Sequence, residues 1–283
     1  MPATGGMYFK ALGTARRKPG KNLQMPKMEV SVSAVHADTA RLASYRKICG
    51  FDNTGELPIT YPQVLAAPLH MWLMLRPEFP LPLMGLVHVR NSFNVRAPLP
   101  EDGIFNVRVS IGEGRRTHQG FEADFLTVFE DADGKPLYDA LMTVLYRMKS
   151  SSIPKPPRPE TPAASLAQYC SFDVPADAGR RYAAVSGDYN PIHMSALSAK
   201  AFGFPRAIAH GMWSLARTAA LLESAQTMAA HSLDVQFRQP LFLPGKVSVK
   251  YQVQGDGLSF ELLSRTSDKV HFSGRFRLRM WIR

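Results

Sequence analysis

The chain has 283 residues, 45% hydrophobic and 20% charged, a balance that suits one large or two ordinary packed domains and argues against disorder. No apolar run reaches the ~20 residues that span a bilayer, and no apolar segment follows the basic N-terminus, so neither a membrane span nor a secretory signal is expected. The net charge of +11 favours anionic partners, while Cys49 and Cys170 stand in no metal-binding spacing and fit reduced thiols in a cytoplasmic protein.

Residues 1–27 are small, basic and punctuated by Gly and Pro, and are expected to form a loosely attached leader. Val30, Val32 and Val35 alternate as a strand does, and a helix is expected from an N-cap at Asp38 to Ile48, stopped by Gly50. A second helix starts near Pro62, with Val64, Leu65, Leu69, Trp72 and Leu73 on its apolar face. Strands follow over 86–95, 104–111, 122–130 and 137–148, with Asp133-Gly134 as a hairpin turn. Residues 149–165 are rich in Ser, Pro, Lys and Arg and read as a semi-extended linker, because proline fixes φ and removes donors.

Residues 166–283 then repeat the order of 28–148: a strand near 172–174, a helix over 177–185, a helix from Pro205, and strands over 232–237, 247–254, 259–266 and 270–280. Spacings support a duplication. Tyr45 precedes Gly50 by five residues and Tyr182 precedes Gly187 by five; Pro62 lies 36 before Pro98 and Pro205 lies 35 before Pro240. The halves differ in one place, since Gly50 to Pro62 is 12 residues and Gly187 to Pro205 is 18. Polar chemistry is concentrated in that longer segment.

There the chain reads Gly187-Asp188-Tyr189-Asn190-Pro191-Ile192-His193, which sets a carboxylate and an imidazole on one short loop stiffened by proline. A reversible dehydration needs such a pair, because a weakly acidic proton must leave one carbon while a hydroxyl leaves the next with a proton supplied. The plainer reading is that Asp188 caps a turn and His193 is a satisfied surface residue. Ala209-His210-Gly211-Met212 stands at a helix start, where a glycine N–H can approach a substrate oxygen and stabilise developing negative charge. His210 reads as a core histidine bonded to backbone. Leu69, Met71, Trp72 and Met74, with Met212, Trp213 and Leu215, read as core rather than as an acyl pocket.

The run YAAVSGDYNPIH, with HGMW beginning 17 residues after its His, resembles the MaoC-like (R)-specific enoyl hydratases and 3-hydroxyacyl-thioester dehydratases. The resemblance implies an α+β hot-dog fold, a long helix wrapped by a curved antiparallel sheet, here in double hot-dog form. It implies that Asp188 and His193 are a catalytic pair holding one water, that the Gly211 N–H binds the thioester oxygen, and that Asn190 and Pro191 support the loop. Many members have an acidic residue where this chain has Ser195. The first half, with Phe51-Asp52-Asn53 after Gly50, lacks the pair and is expected to be a non-catalytic partner.

The activity so implied is reversible dehydration of (3R)-3-hydroxyacyl thioesters of coenzyme A or acyl-carrier protein. No metal and no cofactor is expected, coenzyme A or phosphopantetheine arriving with the substrate. No nucleic-acid-binding motif occurs, and two copies could pair as a homodimer. Two other readings stand beside it: a hot-dog thioesterase, and a non-catalytic acyl-binding subunit of a dehydratase complex.

Overall fold

A computed structural model describes residues 7–20, 22–148, 153–154, 168–226, 229–255, 257–266 and 269–279. Most of the linker, and the leader before Met7, lie outside the described residues. In the first half come α1 (Met7–Gly13), β1 (Glu29–Val35), α2 (Thr39–Cys49), α3 (Tyr61–Leu75), β2 (Leu86–Val95), β3 (Phe105–Thr117), β4 (Gly120–Glu130) and β5 (Pro136–Arg147). The second half contributes β6 (Gln168–Val174), α4 (Ala178–Ser186), α5 (Ala196–Ala201), α6 (Gly211–Gln226), β7 (Ala229–Phe237), β8 (Gly245–Gln254), β9 (Gly257–Ser264) and β10 (Val270–Arg279).

All ten strands form one sheet in the order β1-β3-β4-β5-β2-β7-β10-β9-β8-β6. Counted from either edge to the centre, both halves follow the same plan, each strand of the first half matching the strand five places later in the second. The halves meet where β2 pairs antiparallel with β7, from Arg90 opposite Gln236 to Asn94 opposite Ser232. Alternation along the strands sorts the faces. Val107, Val109 and Ile111 of β3 are buried beneath the helices, whereas Arg108 and Ser110 between them are not.

The helices begin and end where local chemistry dictates. Asp38 accepts the Arg41 N–H at 2.7 Å and caps α2. Gly50 and Gly187 stop α2 and α4 in the left-handed region, at φ 81° and 78°, which glycine adopts without steric cost. The repeated tyrosines of these helices, Tyr45 and Tyr182, meet with ring centroids 6.1 Å apart. Burial is continuous across both halves, so they share one core.

Two expectations are corrected. The leader is not loose over its described part: Arg17 donates to the carbonyls of Met74 (2.7 Å), Leu75 (3.0 Å), Arg76 (2.8 Å) and Leu81 (3.1 Å). It thereby supplies donors to the Met74 and Leu75 carbonyls in the last turn of α3, where intrahelical donors run out. The helix expected from Pro205 starts only at Gly211, because the preceding backbone is tied down in extended form. Ile208 bridges Phe242, and the Ala209 N–H donates to Leu241 O at 2.7 Å. Leu69, Trp213 and Leu215 lie in the core as expected, and the partly buried Trp72, Met74 and Met212 pack against it.

Candidate active site

The chain leaves α4 through Gly187, whose N–H returns to Ala183 O at 2.8 Å. The Asp188 N–H donates to Ser186 Oγ at 3.1 Å, and Asp188 Oδ1 in turn accepts the Asn190 N–H at 3.1 Å. Asn190 Oδ1 accepts the Ile192 N–H at 3.4 Å and caps a 3-10 turn, Pro191–His193, with proline in the first turn, where its missing N–H costs nothing. Each polar residue of this segment therefore shapes the next step of the backbone.

The loop presents Asp188 and His193 together with His210, one donor atom from each lying within 4.8 Å of the others. Asp188 is open, its side chain 44% exposed, whereas His193 and His210 are buried. His193 Nδ1 is 2.8 Å from Ile208 O. A carbonyl only accepts, so Nδ1 carries hydrogen and the neutral ring leaves Nε2 bare. Burial pushes the His193 pKa down, opposed by the Asp188 charge and the Ile208 bond, so the ring is a neutral acceptor near pH 7.

His210 fits the reading as a core histidine bonded to backbone: it is 2% exposed and its Nε2 is 2.9 Å from Asp188 O. Its further role is invisible in sequence. The ring stacks on His193 with centroids 3.7 Å apart, forming a floor under the imidazole. Burial, the neighbouring imidazole acting with it, takes its pKa down to about 3, and its Nδ1 is buried without a partner.

Gly211 is the first residue of α6, where backbone N–H groups have no intrahelical acceptor. A Cβ there would stand 3.0 Å from the Phe237 ring, so the position is closely walled on one side. Ser195, where the resemblance implies an acid in many members, caps α5 by accepting the Ser198 N–H at 3.1 Å. That cap is a job either residue type can do.

Three contributors were not legible in the sequence. Gly179 lets α4 lie against the His193 carbonyl, into which a Cβ would run. Arg41 of α2 reaches the Val185 carbonyl at the end of α4. His88 of β2 faces Phe237 at a ring distance of 5.0 Å. A groove of about 460 Å³ lined by Arg90, Ser92, Arg115, Thr143 and Arg275 lies on the opposite, outer face of the sheet and is not part of this cluster.

Known proteins resemble the chain in sequence and in fold. The family model described as "MaoC like domain" matches residues 153–273. A 3-hydroxyacyl-thioester dehydratase X of Mycobacterium tuberculosis is 33% identical over 236 residues, 83% of each chain. The chain belongs to the MaoC-like dehydratase family. The crystal structure of HtdX of Mycobacterium tuberculosis covers 89% of this chain and 100% of its own at a TM-score of 0.76 and 26% identity. A MaoC-like dehydratase from Phytophthora capsici, at 19% identity, shares the fold over 91% of this chain and 97% of its own at a TM-score of 0.77. This MaoC-like chain is thus a hydro-lyase with the α+β hot-dog architecture that the resemblance implies. Among its described residues, no helix is long and apolar enough to cross a membrane.

Proposed function

We propose that the chain interconverts (3R)-3-hydroxyacyl and trans-2-enoyl thioesters of coenzyme A or an acyl-carrier protein, with Asp188 and His193 sharing one water. The reading is carried by one arrangement: an open carboxylate and a buried neutral imidazole lie within 4.8 Å on one braced loop. In dehydration the pair removes the C2 proton and passes it to the departing C3 hydroxyl, which leaves as water; the electron pair of the C2–H bond becomes the new double bond. In hydration the steps reverse, the two groups activating water and returning a proton to C2.

Deprotonation at C2 places negative charge on the thioester oxygen. The Gly211 N–H at the start of α6 would stabilise it, a contribution of ~3 kcal/mol for donors of this kind. The chemistry calls for no metal or organic cofactor, since the thioester itself acidifies C2. The first half would be non-catalytic and would wall the acyl group.

The test follows loss of enoyl absorbance for short, medium and long trans-2-enoyl-CoA, with chiral analysis of the product and a separate assay for free thiol. Asp188→Asn and His193→Ala should each lower kcat at least ~100-fold, the product should be the 3R alcohol, and no thiol should be released. Full activity in either variant, or thiol release in place of hydration, would sink the reading.

A further inference from the structure

Simple alternation along β2 puts Phe93, Asn91 and Val89 on the inner face and would turn His88 outward. The ladder departs from this. Arg90 stands opposite Thr143 but His88 stands opposite Val144, so Val89 is an extra residue and β2 carries a bulge there. The bulge moves His88 to the same face as Val144, which is buried. Bulges of this kind re-aim side chains beside functional sites.

The pairing of β2 with β7 runs out at Arg90 opposite Gln236, and the next residue of β7 is Phe237. His88 lies tilted against that ring, with centroids 5.0 Å apart. The same ring walls Gly211, whose added Cβ would meet it at 3.0 Å. Phe237 thus touches both the helix start expected to hold the thioester oxygen and an imidazole from the other half. His88 Nε2 is 3.1 Å from Arg90 O, so this nitrogen donates and Nδ1 is bare. Burial lowers the His88 pKa to about 4, opposed by the Arg90 bond and by the charge of Asp188, which lies close enough to act on it. The ring is a neutral acceptor, half-buried rather than sealed off.

We infer that His88, supplied by the half without the dyad, is a substrate-positioning residue whose Nδ1 accepts a hydrogen bond from the thioester held against Gly211. The inference rests on the Asp188–His193 reading above. A 3-hydroxyacyl thioester offers two donors near its reacting carbons: the C3 hydroxyl, and the first amide N–H of the pantetheine arm. The enoyl form retains only the amide, so the two directions of the reaction tell them apart.

The experiment measures kcat and KM in both directions for the wild type, His88→Leu, His88→Asn and His193→Ala, with a thermal melt of each. His88→Leu should raise KM about fivefold to tenfold, the scale of one neutral hydrogen bond, with kcat within a factor of about three. His88→Asn should recover most of the loss, since its Oδ1 can take the place of Nδ1. A KM rise confined to the 3-hydroxyacyl substrate assigns the donor to the hydroxyl; a rise in both directions assigns it to the amide. Unchanged KM for His88→Leu overturns the inference, as do equal losses in the Leu and Asn variants that follow a lowered melting temperature. An active His193→Ala would instead bring down the underlying dehydration reading, which this arm reports separately.

Discussion

Arg41 Nε donates to the Val185 carbonyl at 2.6 Å, joining the first turn of α2 to the last turn of α4 across 144 residues of sequence. That carbonyl belongs to the last turn of its helix, where intrahelical donors run out, and three residues later stands Asp188. The partner helix is held in the opposite direction: Trp213 Nε1 donates to Ile48 O at 3.3 Å and Arg217 Nη1 to Cys49 O at 3.4 Å, both at the end of α2. Each half therefore closes a helix end of the other, and only the end of α4 leads into the loop of Asp188 and His193.

Arg41→Ala should lower kcat about tenfold with KM within about twofold, and destabilise the fold by about 2 kcal/mol, the scale of a hydrogen bond to a charged donor. Arg41→Lys should fall between, because an ammonium lacks the guanidinium fork. Kinetics corrected for the folded fraction, beside urea denaturation, check this. A corrected kcat equal to wild type would reduce Arg41 to a stabilising contact.

Gly179 is the point where α4 meets the turn carrying His193. A methyl group there would run into the His193 carbonyl oxygen, and neither partner is a flexible side-chain end. Gly179→Ala should therefore cost about 1–3 kcal/mol and lower kcat by an order of magnitude or more as the imidazole is displaced. Gly20→Ala is the matching control, since nothing lies within 4 Å of its added Cβ. Equal kinetics for the two variants would show that the turn yields without moving His193.

Arg17 separates stability from catalysis. Its four bonds go to carbonyls at and beyond the end of α3, none of them in the loop of Asp188 and His193. Arg17→Ala should lower the denaturation midpoint by the equivalent of about 2–3 kcal/mol and leave kcat at 25 °C within about twofold. A variant as stable as wild type would mean that those bonds only replace equally good ones to water.

Acid should weaken the fold earlier than carboxylate titration alone would. Burial holds His70 and His210 to pKa values of about 3, and His88 to about 4, against 6.5 when unfolded. Below pH 6.5 the unfolded chain takes up protons that the folded chain refuses. Stability is therefore full above 6.5 and falls as pH drops toward 3, by about 1.4 kcal/mol per pH unit for each such imidazole. Denaturant midpoints between pH 7 and pH 4.5 should fall steadily. A flat profile over that range would mean these rings are protonated in the folded state.

Much of the molecule was already written in local order. Apolar alternation placed the strands, glycines at 50 and 187 ended helices, and Asp188, Asn190, Pro191 and His193 shape one loop whose bonds span only two or three residues. Signals of that range survive in a sequence because neighbouring residues create them. The helix expected from Pro205 failed because a distant segment, 241–242, holds Ile208 and Ala209 extended through an isolated bridge, and tertiary pairing outweighed the local start signal.

What surrounds the dyad was decided only by folding. The bulge at Val89 reverses the side on which His88 lies, yet it is defined by the register against β5, not by any residue of β2 alone. The reach of Arg41 to Val185 joins the two halves around one core, while the stacking of His210 on His193 and the contact of Gly179 with His193 join separate segments of the second half. The sequence by itself determined which groups could do chemistry. Three-dimensional closure determined what holds them, because contacts between remote segments leave no periodic trace in the order of residues.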